Sequence, residues 1–441
     1  MRALALIAAA AALLAAAPAA RAAVGPEPGV NVQLPDATRP DVHDRLRDAG
    51  AKWIRIFLMW PDVEPLRGDF SPVLVDAVRT TGALAHARGM KVMAVFTRAP
   101  GWASGRPEPI APPRDPADYA AALRRLIAAA PGAVDAWEIW NEPDAEHFWL
   151  NGPQPERYVP LLRAAAAAVR EADPKATVVL SPLTANNYAF LEKLYRLGAR
   201  RHFDAVAVHT DTGCLLAGPY DYFRERDGRI SRWSFLGYRT VRAVMAKHGD
   251  ARKPLYMSEF GWSSTRTICD RGLWKGQKLG GVGPARQALY MRQAWHCLTL
   301  DHRSSRIAGA FWFDYRDRTV EDSHDGRYGL LRHDETPKPA WHAFVDIATR
   351  GDRLREPCGD FVPPRIEVLR LADGTLRITA SDKAGVRKVA VRTRDGRDLR
   401  LVSHRSTPPR LRLRVRTRAA VTVIAGDRYG NKSRRRVAAP R

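Results

Sequence analysis

The sequence predicts an α/β fold, a (β/α)8 TIM barrel followed by a small all-β immunoglobulin-like sandwich. Three observations carry this. Short apolar runs alternate with helical patterns eight times from residue 29 to residue 315. After Cys358 the helical patterns stop and short alternating runs take over. At 441 residues the chain exceeds one ordinary domain and has room for a large core and a smaller module.

The strand-like runs are GVNVQL at 29, KWIRIFL at 52, KVMAVFT at 91, VDAWEIW at 134, TVVLSP at 177, FDAVAVH at 203, PLYMSEF at 254 and IAGAFWFDY at 307. Between them lie amphipathic stretches such as SPVLVDAVRTTGALAHARG, PADYAAALRRLIAAA, PERYVPLLRAAAAAVREAD, SFLGYRTVRAVMAKHG and PARQALYMRQAWHCLTL. Eight such βα units argue for a closed barrel. An open doubly wound sheet usually needs fewer strands, and no Gly-rich phosphate loop follows the first one here. The barrel domain is therefore expected over residues 23–358.

In the second unit, expected over residues 363–441, the runs RIEVLRL, TLRITASD, VRKVAVRTRDG, RLRLRVRT and AVTVIAGDRYGN are separated by Asp-Gly and Pro-Pro turns. This unit is strongly basic. It has 22 Lys/Arg against 6 Asp/Glu, so most of the chain's net charge of +24 lies here. Such asymmetry points to an anionic partner, an acidic polysaccharide or cell-wall polymer; nucleic acid is not expected. The competing reading is a solvated face, because the basic residues fall on alternating strand positions and not in one run.

At the N-terminus, Arg2, an Ala/Leu run and Ala20-Arg21-Ala22 form the pattern of a signal peptide, expected over residues 1–22. Pro18 and Arg21 break the run, which argues against an anchor, and no later segment is long and apolar enough to span a bilayer. The expected location is secreted or at the cell surface. Four cysteines fit an oxidising compartment. Cys214 follows the sixth strand and Cys269 the seventh, neighbours in a barrel, so these two are expected to pair, leaving Cys297 with Cys358. No C-x-x-C pattern occurs, and neither a metal nor an organic cofactor is implied.

In a barrel of this kind, chemistry sits at the C-terminal strand ends. Glu142 ends the fourth strand and Glu259 the seventh. Two carboxylates converging over one mouth suit glycosidic bond cleavage, with one protonating the leaving oxygen and the other attacking the anomeric carbon or activating water there.

The WNEP at 140–143, the Glu ending strand seven and Trp312 ending strand eight resemble the clan A glycoside hydrolases, and family 5 and family 39 retaining glycosidases in particular. The segment MWPDVEPLRGDF at 59–70 resembles the one after the second strand in many of these enzymes. The likeness covers roughly residues 29 to 350. It implies Glu142 as acid/base and Glu259 as nucleophile. Arg55, on the second strand, is expected to stabilise the Glu259 carboxylate, and Asn141 to bond a sugar 2-hydroxyl. Trp312 is expected to floor the subsite of the attacked sugar, and His209 to stand beside the nucleophile. Trp60, Trp102 and Trp262, just past strand ends, are expected to stack sugars. A nearby carboxylate and burial are expected to keep Glu142 protonated.

Two departures from the family pattern bear on the sugar. Many relatives carry a His at the end of strand three and a Tyr two positions after the strand-six His; here those places hold Thr97-Arg98 and Asp211. The implied function is a glycosidase hydrolysing O-glycosidic bonds of a polysaccharide or oligosaccharide. The alternative reading is a non-catalytic carbohydrate- or polyanion-binding surface protein that uses the barrel as a scaffold.

Overall fold

The computed structural model describes residues 25–210, 214, 217–269 and 275–440, so the signal-peptide segment and Asp211 lie outside the described residues. Eight strands close a barrel in which every neighbouring pair is parallel: β1 (Glu27–Asn31), β2 (Trp53–Met59), β3 (Lys91–Thr97), β4 (Ala136–Ile139), β5 (Thr177–Leu183), β6 (Ala205–His209), β7 (Leu255–Phe260) and β8 (Ile307–Trp312). β8 closes on β1 with Phe311 opposite Gly29. A Cβ at Gly29 would stand 2.5 Å from the Phe311 ring, so this pairing requires a residue without a side chain.

The helices start where proline and a capping side chain permit. Ser71 caps Pro72–His86 by accepting from the Leu74 N–H, and Asp115 caps Pro116–Ala129 by accepting from the Ala117 N–H. The long helices Pro155–Ala172 and Pro284–Ser305 also begin on proline. Strand alternation divides the apolar residues into two cores. Trp53, Met93, Ala136, Val179, Tyr256 and Phe311 fill the barrel interior. Residues such as Ile54, Val92, Trp137, Leu180, Met257 and Trp312 face the helices.

The second unit is a sandwich of a three-stranded sheet, β13-β10-β9, on a four-stranded one, β12-β11-β14-β15. Its strands are β9 (Arg365–Arg370), β10 (Thr375–Ser381), β11 (Val386–Thr393), β12 (Asp398–Ser403), β13 (Arg410–Arg416), β14 (Val421–Asp427) and β15 (Lys432–Val437). Leu376, Ile378, Val389, Val391 and Val423 are its buried centre. Two strands, β12 and β15, were not expected from the sequence. Both are sheet edges: β15 is polar and charged up to its last residue, and β12 has only Leu399 and Leu401 in alternation before Val402 breaks the period.

Both disulfides form as the strand order implied, Cys214 with Cys269 and Cys297 with Cys358. The sandwich packs on the segment after β6. Tyr222 lies between the stacked rings of Phe361 and Tyr429, at 4.6 and 4.8 Å, and its hydroxyl donates to the Asp360 carbonyl. Tyr429 donates to Asp221 and Arg224 to Asn431. Among the described residues, no helix is long and apolar enough to cross a membrane.

Candidate active site

β2 alternates, so Arg55 shares the inward face with Trp53 and sits one layer nearer the mouth, level with Asn31 of β1. Its guanidinium is fully buried and organises the site. Nε donates to Glu138 at 2.7 Å, while Nη1 donates to Asn31 at 2.6 Å and to Glu259 at 2.5 Å. Nη2 lies 3.4 Å from both Asn141 Oδ1 and His209 Nε2. Burial works against the cation, but Glu138 and Glu259 more than offset it and hold its pKa above the ordinary arginine value. Losing the guanidinium would take the cation from fully buried Glu138, a loss of about 3–5 kcal/mol by the usual cost of breaking a buried pair.

Glu259 stands where the ladders between β6, β7 and β8 slip. Register shifts fall beside His209 on one side and between Met257 and Phe260 on the other. Such bulges re-aim a side chain at a barrel rim. The same register sets His209 opposite Glu259.

Glu142 leaves β4 through strained backbone. Trp140 and Glu142 have φ of 72° and 47°, a region costly for side chains of this kind and typical of functional positions. Tyr119 and Phe148 hold the turn, the first bonding the Trp140 N–H and the second accepting from its indole. Burial pushes the Glu142 pKa up to about 8; Asp144 adds to the rise, and Arg55 and Arg232 oppose it. The expected like charge beside Glu142 is therefore Asp144, two residues on. Asp144 is itself buried, accepts from the Thr184 N–H and hydroxyl, and lies 3.7 Å from Arg232.

His209 bridges the pair. Nδ1 is 2.6 Å from Glu142 Oε1 and Nε2 is 3.4 Å from Glu259 Oε1. Burial lowers its pKa to about 4, with the Glu259 charge opposing that and Arg55 reinforcing it, so the ring is neutral at neutral pH. The sequence expectation placed it by the nucleophile; its shorter contact is to the acid.

The tryptophan expectations need correction. Trp312 faces the helix layer: it is buried against Phe260 and Trp262, and its indole donates to the Tyr328 carbonyl. The alternation that buries Phe311 inside the barrel turns Trp312 to the helix side, and Phe313, just past the strand, packs edge-on against Tyr328. Phe313 is half-exposed, with the Arg318 guanidinium 4.6 Å over its ring. Trp60 is fully buried and bonds Glu64, and Trp262 is buried and donates to the Ala217 carbonyl. Trp102 is half-buried, edge-on to Trp60, with Arg67 over its face at 4.4 Å. Among the described residues the exposed tryptophan is Trp233, next to Arg232 and 53% exposed.

Sequence reasoning missed Asn31, Glu138, Asp144 and Arg232. Glu138 and Asn31 carried a usable signal, polar residues on the inward positions of otherwise apolar strands. Where relatives carry a histidine, Thr97 is buried and Arg98 is half-buried with its guanidinium 5.3 Å from the Phe148 ring.

No protein-family model matches the chain. A β-xylosidase of Geobacillus stearothermophilus is 22% identical over 257 residues, which are 55% of this chain; the chain spans 46% of that protein, about half its length. A family 39 glycoside hydrolase from the gut symbiont Bacteroides cellulosilyticus superimposes with a TM-score of 0.59 at 19% identity, over 89% of this chain and 79% of that one. The GH5_18 protein of Streptomyces cattleya, solved with GlcNAc, gives 0.55 at 19%, over 77% and 83%. These likenesses establish the fold, a closed (β/α)8 barrel.

Proposed function

We propose that this chain is a secreted retaining glycoside hydrolase that cleaves O-glycosidic bonds of a polysaccharide or oligosaccharide by double displacement. The observation that carries the reading is the polarisation of two carboxylates around one neutral imidazole. Glu142 is held protonated up to about pH 8, while Glu259 accepts from the Arg55 cation at 2.5 Å. Environments that push two carboxylates apart in this way separate an acid from a nucleophile. This polarisation also disfavours a purely binding role for the barrel, which needs no such pair. The β-xylosidase and the glycosidase structures support the same class of reaction.

In the resting site a protonated Glu142 donates to His209 Nδ1, and the ring's one proton, on Nε2, faces Glu259. Glu259 attacks the anomeric carbon as Glu142 gives its proton to the leaving oxygen. The C–O bond to the leaving group breaks and a glycosyl ester to Glu259 forms. Ester formation removes the negative charge from Glu259, and Glu142, now ionised, takes a proton from water as that water attacks the same carbon; the ester C–O bond breaks, the sugar leaves with the water oxygen, and Glu259 is released as a carboxylate with Glu142 reprotonated. Asn141, fixed through its Oδ1 by Arg55, presents its amide N–H to the sugar 2-hydroxyl. Among the described residues, Trp233 offers an exposed ring to stack a sugar. The small-residue site at Ala20–Ala22 and the two disulfides support export. The basic sandwich supports an acidic polysaccharide or cell-wall polymer as partner.

The pH profile tests the acid assignment. On a panel of aryl β-glycosides, kcat/KM is expected to fall by one proton as pH rises through about 8. The same shift acts on stability. Glu142 binds its proton more tightly folded than unfolded, so its contribution is fully present below pH 4.5 and is lost as pH rises towards about 8. Glu142→Gln is expected to lack this dependence in denaturant titrations. A profile flat to pH 10, with wild type and variant tracking each other in stability, would overturn the assignment.

A further inference from the structure

The alternation that reads in sequence as scattered basic residues places them on one face. Across the outer side of the four-stranded sheet, Lys388 pairs with Gly426 and Gly426 with Lys432. In the next row Ala390 pairs with Ile424 and Ile424 with Arg434. Small residues on β11 and β14 therefore make a floor, and the basic side chains of β15 make a wall beside it. The segment after β6 closes one end with Tyr222, Phe223 and Arg224, forming a cleft of about 620 Å³.

Seven Arg/Lys line this cleft against one acid, Asp427. Asp427 is committed elsewhere, to the backbone N–H groups of Tyr429 and Asn431 and to the Asn431 amide. Arg392 and Arg428 have carboxylate partners in Asp398 and Asp221. Arg387, Lys388, Lys432 and Arg434 are exposed and form no ion pair among the described residues. Unpaired cations converging on a small-residue floor suit a chain carrying repeated negative charge. Phe223, 50% exposed at the closed end, offers a ring for a sugar face.

We propose that this cleft is a binding subsite for a linear acidic polysaccharide, held alongside the barrel by the segment after β6. That segment also carries Arg232, 3.7 Å from Asp144 beside the acid Glu142, so one stretch of chain borders both the cleft and the candidate active site. A polysaccharide fits better than a single-stranded nucleic acid, which is held by successive aromatic platforms; the cleft has one exposed ring. The identification of the bound polymer as substrate rests on the glycosidase reading, whereas its binding does not.

The test uses the full chain and reads binding without turnover. Polygalacturonate and dextran sulfate, which separate carboxylate from sulfate as the recognised charge, are titrated at low ionic strength beside neutral dextran and a single-stranded oligonucleotide. Two triple variants are compared. Lys388→Glu/Lys432→Glu/Arg434→Glu alters the cleft. Arg412→Glu/Arg414→Glu/Arg416→Glu makes the same change in net charge on the exposed face of the other sheet. The expected result is binding of an acidic glycan, loss of roughly tenfold or more in the cleft variant, and a change within about twofold in the other. Absence of binding to both acidic glycans, equal losses in the two variants, or an oligonucleotide bound as tightly as the glycan would each overturn the proposal. Both altered faces are exposed, and matched thermal transitions exclude unfolding as the cause.

Discussion

Glu259→Ala is expected to lower turnover of every substrate by on the order of 10^4-fold or more, with little loss of fold. The two halves of this expectation come from the same contacts. Among the described residues Glu138 is not a substitute for the ester-forming carboxylate, because it lies deeper on β4 and already engages Arg55 Nε at 2.7 Å. Removing Glu259 also leaves Arg55 balanced one-to-one by Glu138, so the buried cation keeps a partner. Thermal melting should stay close to wild type. Azide, small enough to enter the vacated space, should restore turnover and give the inverted glycosyl azide, since only one displacement remains. Residual activity within tenfold of wild type, on poor and activated substrates alike, would remove Glu259 from the nucleophile's role.

Glu142→Ala is expected to discriminate between substrates instead. Glycosides with poor leaving groups need the proton and should lose about 10^2–10^4-fold in kcat/KM, the usual worth of a general acid. Activated aryl glycosides, whose leaving group departs with little protonation, should lose far less at that step. Hydrolysis of the intermediate also lacks its base in this variant, so azide should accelerate turnover and give an azide of retained configuration. The basic limb of the pH profile, assigned to a carboxyl held at about 8, should vanish with it. Equal losses across the leaving-group series would mean that Glu142 acts through structure. Its 2.6 Å contact with His209 makes that a real alternative for this experiment to eliminate.

The proposed pair, Glu142 and Glu259, was legible because its signal is positional. A barrel puts chemistry at strand ends, and a carboxylate at the end of strand four with another at the end of strand seven is rarely needed for packing. Arg55 was legible for a related reason, a cation in the middle of an apolar strand. The environment of the pair was not. Nothing in the spacing says that Asp144 turns back toward Glu142, because this depends on positive φ at Trp140 and Glu142. Trp312 was misplaced because strand ends were counted without following the alternation; with Phe311 inside, Trp312 must face the helices. In the sandwich the alternation of basic residues seemed to argue against a cluster. In a sheet, alternate positions share one face, and the register gathers residues from β11 and β15 across it.

The central claim, a covalent double displacement between Glu142 and Glu259, is tested most directly by following the anomeric proton of the first-formed product by NMR during hydrolysis of an aryl glycoside that the wild-type protein turns over. The account predicts that the product first appears with the anomeric configuration of the substrate and only later equilibrates by mutarotation. First appearance of the inverted anomer would contradict it, because a single displacement by water leaves Glu259 no role as nucleophile.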